Sequence, residues 1–531
     1  MNRPPEARLS TGKTQSDVGI VVSPHFLASQ AGVDILNSGG NAVDAAIAVD
    51  AVLSVVLPDT CGPGGDLFAL VHQPGDIKPT ALNASGRCGS GVTADELRDR
   101  GLGEVPYRSP WSISVPGCVD GWFALSQRHG ALDLSTVFEA AVGIATAGFP
   151  VGYELASSLN RLAPMLRDQP SADELYPNGT PPEVGSVVTR PRFGRTLQSI
   201  ASSGRDAFYT GQVAAGIQKA SEGLITPDDL AHNQAEWIEP LGASLFGRTA
   251  WTIPPNSQGY LTLATLRIFE MLNPPTDPND PLFTHLLIEA YRSVAWERED
   301  TVGDPNSANV STDKLLSEER LAERAAQVSR EATNRWPVPS RLPGGTAYMT
   351  VLDGSGMGIS FIQSNFAGIG SGLSAGDTGV WLHNRGAGFN LIQGHPNEFA
   401  AGKRPLHTLS PTLWTHGQDL DLLLGTRGGD QQPQYLAQFA AAHYHAGLCT
   451  DDAQSLPRWN MTQPRPGTDS QLRIEGRYAP SVRPTLERLG HDVSLAQSYE
   501  PGWGPISAID ASADRKGSAD PRVTTSAAIS T

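Results

Sequence analysis

The sequence is poor in cysteine and has no long apolar run. Its 531 residues include four cysteines, at positions 61, 88, 118 and 449, and these are scattered without CxxC spacing. The scatter argues against a metal site and predicts free structural thiols. No window approaches the roughly 18 consecutive apolar residues that a membrane helix requires, which argues against a membrane span.

Positive charge is also scarce. The 39 basic residues are outnumbered by 55 acidic ones, the formal net charge is −16, and no basic run is present. This balance argues against nucleic acid and anionic membrane surfaces as partners. Residues 1–22 are polar, carry Pro4 and Pro5 and contain no apolar stretch like a secretory signal, so the sequence predicts a cytoplasmic protein.

Local patterns predict a mixture of helices and strands. The run 42–56 is apolar nearly all round and follows Asn41, a favourable N-cap, so it is predicted to be a buried helix. Another helix is expected to be capped at Ser23 and Pro24 and to run to Leu36. The other predictions are helices over 134–147, 282–298, 317–331 and 433–444, strands over 66–72, 380–384 and 422–424, loops with short helices over 169–205, and a frayed end over 518–531.

The most distinctive stretch surrounds Thr346. Two short apolar runs, 348–352 and 359–362, are separated by turn residues and predict a β-hairpin that Thr346 opens. The residues before it, Pro343-Gly344-Gly345, form a breaker. If the Gly345–Thr346 bond broke, Thr346 would carry a free α-amine, with a pKa of about 8, that could take the proton of its own hydroxyl. On pattern alone, a plain surface loop entering an edge strand remains an open alternative.

A resemblance extends along the chain from about residue 20 to 522. The segment 344–353, with Gly370-Ser371-Gly372 after it, resembles the start of the small subunit in the γ-glutamyltransferase family of N-terminal-nucleophile hydrolases, which cut themselves at this threonine. Similar matches in the same order occur at 38–46, 62–65, 402–405, 410–412, 428–429 and 519–522.

The resemblance implies a fold and a maturation step. The expected fold is α+β, a four-layer αββα sandwich. A cut between Gly345 and Thr346 would give a large subunit of residues 1–345 and a small subunit of residues 346–531. These fragments are expected to stay together as a heterodimer, and a dimer of such heterodimers is left open. No metal or organic cofactor is implied.

The resemblance also implies site residues. Thr346 is the expected nucleophile, and the N–H groups of Gly428 and Gly429 are the expected oxyanion donors. Ser364 stands where the family usually has threonine, and it keeps a hydroxyl for contact with the nucleophile. Arg87 best matches the family's arginine for the α-carboxylate of the substrate.

The departures from the family are the strongest indication of substrate class. Phe366 replaces an asparagine, and Arg385 lies where γ-glutamyl enzymes have an amide followed by an acid that binds the substrate ammonium. The family's paired serines are replaced by His407 and Thr408, and Arg427 adds another possible anion ligand. Because a guanidinium repels an ammonium and suits a carboxylate, we expect a small-molecule amide whose acyl half bears a carboxylate.

Three other functions stay open at this point. A true γ-glutamyl transpeptidase acting on glutathione would need an acidic residue near Thr346. An unprocessed, inactive homologue could serve as a binding protein. A serine hydrolase is weakly supported, because no GxSxG elbow with a plausible triad is present.

Overall fold

The computed structural model describes residues 19–307, 311–336, 345–461, 472–512 and 514–531. Within them the strands are β1 (Ile20–Ser23), β2 (Asp66–His72), β3 (Thr80–Ala84), β4 (Phe149–Pro150), β5 (Val187–Val188), β6 (Glu236–Ile238), β7 (Leu241–Leu245), β8 (Arg248–Thr252), β9 (Gly345–Leu352), β10 (Gly358–Phe366), β11 (Thr412–His416), β12 (Asp419–Thr426), β13 (Trp459–Met461), β14 (Leu472–Glu475), β15 (Val493–Ala496), β16 (Ile506–Asp510), β17 (Lys516–Ala519) and β18 (Ala527–Ser530).

The α-helices of the same residues are α1 (Phe26–Asn37), α2 (Ala42–Val56), α3 (Ala94–Asp99), α4 (Cys118–His129), α5 (Leu134–Val137), α6 (Glu139–Ala147), α7 (Tyr153–Leu166), α8 (Pro191–Ser203), α9 (Asp206–Tyr209), α10 (Gly211–Ala220), α11 (Pro227–Ala231), α12 (Tyr260–Met271), α13 (Pro281–Ala295), α14 (Arg298–Thr301), α15 (Thr312–Leu315), α16 (Glu318–Gln327), α17 (Gln432–Ala440), α18 (Thr450–Ser455) and α19 (Val482–Arg488).

Two sheets carry the architecture. The first has seven strands in the order β18-β1-β9-β10-β2-β3-β6, and the second has six in the order β17-β16-β12-β11-β8-β7. In both sheets, strands from before Gly345 pair with strands from after it. For example, Val21 of β1 lies opposite Val351 of β9, and Phe361 of β10 lies opposite Ala69 of β2.

Alternation along the strands explains the layers. In β2, Phe68 and Leu70 point to a core between the two sheets, while Leu67, Ala69 and Val71 point to a core under the helices. Successive side chains of a strand face opposite sides of a sheet, and here both sides are covered, so the strand is apolar throughout. Helices α1, α2 and α4 cover the first sheet, and α12, α13 and α17 cover the second. The result is the expected four-layer αββα sandwich.

The strongest local predictions are confirmed. The helix over 42–56 is α2, Asn41 caps it with a side-chain oxygen that accepts from Val43 and Asp44 N–H, and all of its residues are buried. The hairpin is β9 and β10, whose antiparallel register pairs Leu352 with Gly358. The strands over 66–72 and 422–424 are present as β2 and within β12. The breaker residues 343 and 344 lie outside the described residues.

The first predicted helix has a different cap. Helix α1 begins at Phe26, and its N-cap is His25, whose Nδ1 accepts from Leu27 N–H at 3.2 Å. Ser23 is instead the last residue of β1, and its hydroxyl lies 2.7 Å from that of Ser29. Ser23 therefore belongs to the strand, and the N-cap of α1 lies two residues later, at His25.

Other boundaries also differ from the predictions. The helix over 134–147 is split at Phe138 into α5 and α6. The segment 169–205 contains α8, a helix of 13 residues that buries Phe193 and Leu197 against the core. The three later helices are α13, α16 and α17, and each is shorter than predicted; a π-helical turn over Ala441–His445 continues α17.

Two predictions about strands and ends are wrong. Residues 380–384 form a buried loop with one isolated bridge at Trp381, because the N–H and C=O of Leu382 bond back to residues 373 and 371. The end of the chain is also ordered, since β17 and β18 lie at the edges of the two sheets and β18 pairs with β1. Polar composition at 518–531 does not prevent pairing where an open strand edge is available.

The four cysteines are all free, and three of them are buried. In the parts of the chain that the structure describes, no helix combines the length and apolar character that crossing a membrane would take.

Candidate active site

Thr346 is the second residue of β9 and is 1% exposed. Its neighbour β10 carries a bulge at this point, because Gln363 pairs with Ala347 while Phe366 pairs with Gly345. Two residues of β10, Ser364 and Asn365, therefore lie opposite one residue of β9. A bulge of this kind redirects side chains, and here it directs the Ser364 hydroxyl to Thr346.

The Ser364 hydroxyl makes three contacts at the Gly345–Thr346 peptide. Its Oγ donates to Gly345 O at 2.5 Å, accepts from Phe366 N–H at 2.7 Å and lies 3.4 Å from Thr346 Oγ1. A serine hydroxyl has one proton and two lone pairs. Because that proton goes to the Gly345 carbonyl, Thr346 Oγ1 must donate in its contact with Ser364. The hydroxyl of Thr346 is thus held beside the peptide bond that precedes it.

Gly428 and Gly429 follow β12 after one intervening residue, Arg427. Their φ angles are +131° and +57°, in the left-handed region that glycine adopts at least cost. A Cβ at Gly428 would lie 3.0 Å from the Tyr435 ring. The turn is held from behind by Gln258, whose Nε2 donates to Gly429 O and to Thr408 O, both at 3.0 Å.

Arg385 lies in a buried layer next to Phe366. It is 1% exposed, and its guanidinium stacks on the Phe366 ring at 3.8 Å from the centroid. Nη1 donates to Thr408 Oγ1 at 3.2 Å, and Nε lies 4.0 Å from Asp66 Oδ2. Burial, partly offset by the charge of Asp66, lowers the pKa of Arg385 to about 10. Nε and Nη2 have no hydrogen-bond partner among the described residues, so two nitrogens of a charged group have unused donors.

Asp66 joins the residues of this layer. Its Oδ1 accepts from Gly86 N–H at 2.8 Å, and its Oδ2 lies 2.9 Å from His407 Nε2 and 3.4 Å from His383 Nδ1. Burial alone would raise the pKa of Asp66, but the neighbouring His383 ring and the hydrogen bond from His407 outweigh it and hold the pKa of this carboxyl well below its usual range. Asp66 is therefore ionised, as a partner for Arg385 requires.

His407 is neutral, and its tautomer follows from its contacts. Burial first, and the charge of Arg385 second, lower the pKa of His407 to about 3. Leu409 N–H donates to its Nδ1 at 3.3 Å, so Nδ1 is the acceptor and Nε2 carries the proton given to Asp66. His407 and Thr408, both predicted to bind substrate, thus lie in the layer that positions Arg385.

A cleft of about 440 Å³ reaches the Gly345–Thr346 junction. Gly345, Gly428 and Arg427 line it, so the predicted cleavage site, one oxyanion glycine and one predicted anion ligand meet at the same opening. Arg427 Nη2 lies 3.5 Å from Glu154 Oε2. Thr346 and Ser364 are buried behind this opening and are connected to it through Gly345, which lines the cleft.

Arg87 lies elsewhere. It forms an ion pair with Glu236 and donates to Gln234 Oε1 at 3.4 Å. Both Arg87 and Glu236 line a separate cleft of about 480 Å³ together with Arg404. The expected carboxylate ligand is therefore not grouped with Thr346 in this structure.

Several site residues were not predicted. Asp66 had a weak signal, because it is the one charge between a glycine-rich turn and an apolar strand. His383 lies inside the apolar run 380–384, a pattern that indicates a buried structural segment and not a functional site. Arg108 and Arg161 also line the cleft of Thr346, and nothing in their sequence surroundings distinguishes them from surface arginines.

Known proteins resemble this chain in both sequence and fold. A sequence model of the family described as gamma-glutamyltranspeptidase matches residues 28–530. The chain is 36% identical to the glutathione hydrolase-like YwrD proenzyme of Bacillus subtilis, over 95% of the chain and 97% of that protein. It is 34% identical to the oxamate amidohydrolase proenzyme of Klebsiella pneumoniae, over 92% and 94%. The fold is similar to a cephalosporin acylase from Bacillus halodurans, with a TM-score of 0.91, 30% identity, and coverage of 100% and 99%.

Proposed function

The chain belongs to the gamma-glutamyltranspeptidase family, and from that premise we propose that it is a self-cleaving amidohydrolase with Thr346 as its nucleophile. The observation that carries the proposal is the Ser364 hydroxyl, which bonds to the Gly345 carbonyl and lies next to the Thr346 hydroxyl. Ser364 thus bridges the Thr346 hydroxyl and the oxygen of the carbonyl that it would attack, and this bridge supports the proposal.

The maturation step uses this arrangement. Thr346 Oγ1 attacks the carbonyl carbon of Gly345 and loses its proton, and negative charge develops on Gly345 O, where the Ser364 O–H stabilises it. The Gly345–Thr346 C–N bond then breaks, and the nitrogen takes up a proton and becomes the α-amine of Thr346. Water hydrolyses the resulting ester, which leaves a carboxylate on Gly345 and restores the Thr346 hydroxyl.

The same threonine then acts on substrate. Its free α-amine takes the Oγ1 proton as Oγ1 attacks the substrate carbonyl, and the N–H groups of Gly428 and Gly429 stabilise the oxyanion. The amine half leaves with a proton, and the acyl half remains as an ester on Thr346 until water or an amine accepts it. Gly428 lines the cleft beside Gly345, which supports this role.

The substrate that the site supports best is an amide whose acyl half carries a carboxylate. Arg427 lines the cleft. Arg385 keeps unbonded Nε and Nη2 donors behind Phe366, whose ring packs on Tyr107 of the cleft wall. Guanidinium groups bind carboxylates through paired N–H donors. The name of the Klebsiella pneumoniae relative points the same way, because oxamate is the monoamide of a dicarboxylic acid and its acyl half carries a carboxylate.

Glutathione hydrolysis is the second candidate, and two acidic residues of the cleft bear on it. Asp59 and Glu154 both line the cleft of Thr346, where a γ-glutamyl substrate would need a carboxylate for its α-ammonium. Glu154 is, however, paired with Arg427. Burial raises the pKa of Asp59, although hydrogen bonding from Ser158 and the charge of Arg427 oppose it. Both groups are therefore weaker ligands for an ammonium than free carboxylates, which favours the first candidate.

The nucleophile is tested by intact mass. Freshly purified wild type is expected to show fragments of 345 and 186 residues, and Thr346→Ser is expected to show them too, because serine keeps the hydroxyl. Thr346→Ala should stay whole. Thr350→Ala is the matched control, since Thr350 is a buried threonine of the same strand whose hydroxyl donates to Ile359 O. An uncut wild type after prolonged incubation would refute the proposal.

The substrate class is tested with three anilides that share a leaving group. Glutaryl anilide is expected to have a higher kcat/KM than butyryl anilide, which lacks the carboxylate, and than γ-glutamyl anilide, which adds an ammonium. Arg427→Gln should raise KM for glutaryl anilide by about tenfold, the loss expected for one charge-assisted contact near solvent, and leave butyryl anilide unchanged. A preference for γ-glutamyl anilide would favour the second candidate.

A further inference from the structure

Helix α7 forms one wall of the cleft that contains the Gly345–Thr346 junction. Tyr153, Ser157 and Arg161 all line the cleft, and they recur at every fourth position of the helix. Residues with this spacing share one face of a helix, so the wall extends for ~12 Å at 1.5 Å per residue. The cleft is thus longer than the reacting peptide group needs.

Three arginines and two carboxyl groups line the cleft, and two of the arginines are held by contacts within the protein. Arg108 donates to the backbone carbonyls of Ala367, Gly368 and Gly370 at 3.1 to 3.4 Å. Arg427 pairs with Glu154. The guanidinium of the third arginine, Arg161, has a different environment.

Arg161 is exposed and is poorly satisfied by the protein. Among the residues that the structure describes, it has one hydrogen bond, from Nη2 to Ser158 Oγ at 3.5 Å, the limit for such a bond. Within the described ranges, no acidic side chain forms an ion pair with it. Burial raises the pKa of Asp59 in the same cleft, which further weakens the negative charge there. A cationic group in the cleft is therefore left for a ligand.

The position of Arg161 relates it to the reaction centre. Its Nη2 lies 3.9 Å from the place where a Cβ on Gly368 would be, and the N of Gly368 lies 3.2 Å from the Cβ position of Gly345. The backbone of Gly368 thus lies between Arg161 and the residue whose carbonyl Thr346 would attack. At the other end of the wall Tyr153, 65% exposed, offers an aromatic face.

We propose that Arg161 is a specificity-determining residue that binds a second anionic group of the substrate, remote from the reacting amide. This inference rests on the proposed function and extends it, since the preferred substrate would then be a dianionic amide. The second anionic group could be a carboxylate on the amine half or a second carboxylate on the acyl half. The experiment distinguishes these two positions.

The kinetic test uses glutaryl anilide, glutaryl 3-carboxyanilide and the anilide of a tricarboxylic acid. The last two compounds are dianionic. Arg161→Gln should raise KM by about tenfold for the dianionic substrate that contacts Arg161, without a change in kcat. Both KM and kcat for glutaryl anilide should be the same in Arg161→Gln as in wild type. Arg167→Gln, an exposed arginine at the end of α7 outside the cleft, should behave as wild type. Equal KM values in wild type and Arg161→Gln for both dianionic substrates would overturn the proposal while leaving the proposed function intact.

A binding test works without turnover. The probe is a non-hydrolysable analogue of a dianionic substrate, in which a CH₂ group replaces the amide N–H. Its parent is the dianionic substrate whose KM depends on Arg161. If neither dianionic substrate is hydrolysed, analogues of both are measured. Calorimetry should show binding to wild type and to Arg167→Gln, with Kd about tenfold weaker for Arg161→Gln. Arg161-dependent binding with no hydrolysis of any amide would support the anion site and refute the proposed function. Absence of binding to wild type, or equal Kd for both proteins, would overturn the anion site.

Discussion

At the scale of single residues, the hydrogen bonds of Ser364 determine the environment of the Thr346 hydroxyl. Its only proton is committed to the Gly345 carbonyl, and its lone pairs accept from Phe366 N–H and from Thr346. The same hydroxyl therefore polarises the carbonyl and orients the proposed nucleophile. A threonine at this position would keep the hydroxyl, whereas an alanine would remove both functions at once.

We expect Ser364→Ala to slow self-cleavage by on the order of 10²-fold or more, because one oxyanion donor is lost. Ser364→Thr should cleave at a rate close to that of wild type. The appearance of the two fragments is followed by mass spectrometry over time. Ser360→Ala is the control, since Ser360 lies on the same strand and its hydroxyl contacts Tyr348 instead. Rapid cleavage of Ser364→Ala would show that another group stabilises the charge on Gly345 O.

At the scale of elements, helix α2 combines complete burial with an acid in its interior. Asp50 Oδ2 accepts from Trp122 Nε1 at 2.8 Å and lies 3.7 Å from Cys118 Sγ, while its Oδ1 has no partner in the described structure. Burial raises the pKa of Asp50 to about 7, although the hydrogen bonds from Trp122 and Cys118 oppose the shift. The helix therefore holds a carboxyl group that keeps its proton up to near neutral pH.

This shift predicts a pH dependence of stability. Between pH 4 and about 7 the unfolded chain has lost the Asp50 proton while the folded chain retains it, so the contribution of Asp50 to the free energy of unfolding falls as pH rises. The fall is at most ~1.4 kcal/mol per pH unit and ends above about pH 7.

The pH dependence of this contribution is measured by urea unfolding of wild type and Asp50→Asn between pH 4 and 8. Asparagine cannot ionise, so the stability of Asp50→Asn relative to wild type should increase with pH, by a few kcal/mol in total. Asp34→Asn, on the exposed face of α1, should show little change. A constant difference between Asp50→Asn and wild type over this range would contradict the raised pKa.

At the scale of the whole molecule, the two fragments of the proposed cut contribute strands to the same sheets. In the seven-stranded sheet, β1 from before the junction lies between β18 and β9 from after it. In the six-stranded sheet, β8 pairs with β11 in the same way. Asp66 from the first part contacts His383 and His407 from the second. Separating the parts would expose both cores and leave these buried polar groups unpaired.

We therefore expect the fragments of 345 and 186 residues to remain associated after cleavage. Size-exclusion chromatography in native buffer should give one peak that contains both, at the elution volume of uncut Thr346→Ala. Separation is expected only at denaturant concentrations that unfold the protein. Two separate peaks in native buffer would contradict the interleaved arrangement.

The sequence alone determined the features that depend on neighbouring residues. Helix α2, strand β2 and the hairpin of β9 and β10 follow from local apolar patterns and turn residues. The helix and strand predictions are confirmed because backbone propensity and side-chain periodicity are set within a few residues. The cleavage junction at Thr346 stays a prediction from its motif.

Only the tertiary structure decided which distant residues share the site. Asp66, His383, Arg385 and His407 come from three separate stretches and meet in one buried layer, and Arg161 reaches the cleft from α7. Arg87, which the motif placed at the substrate, is instead paired with Glu236. A side chain's charge is visible in the sequence, but its burial and its partners depend on contacts across hundreds of residues, and these determine whether it is free to bind a ligand.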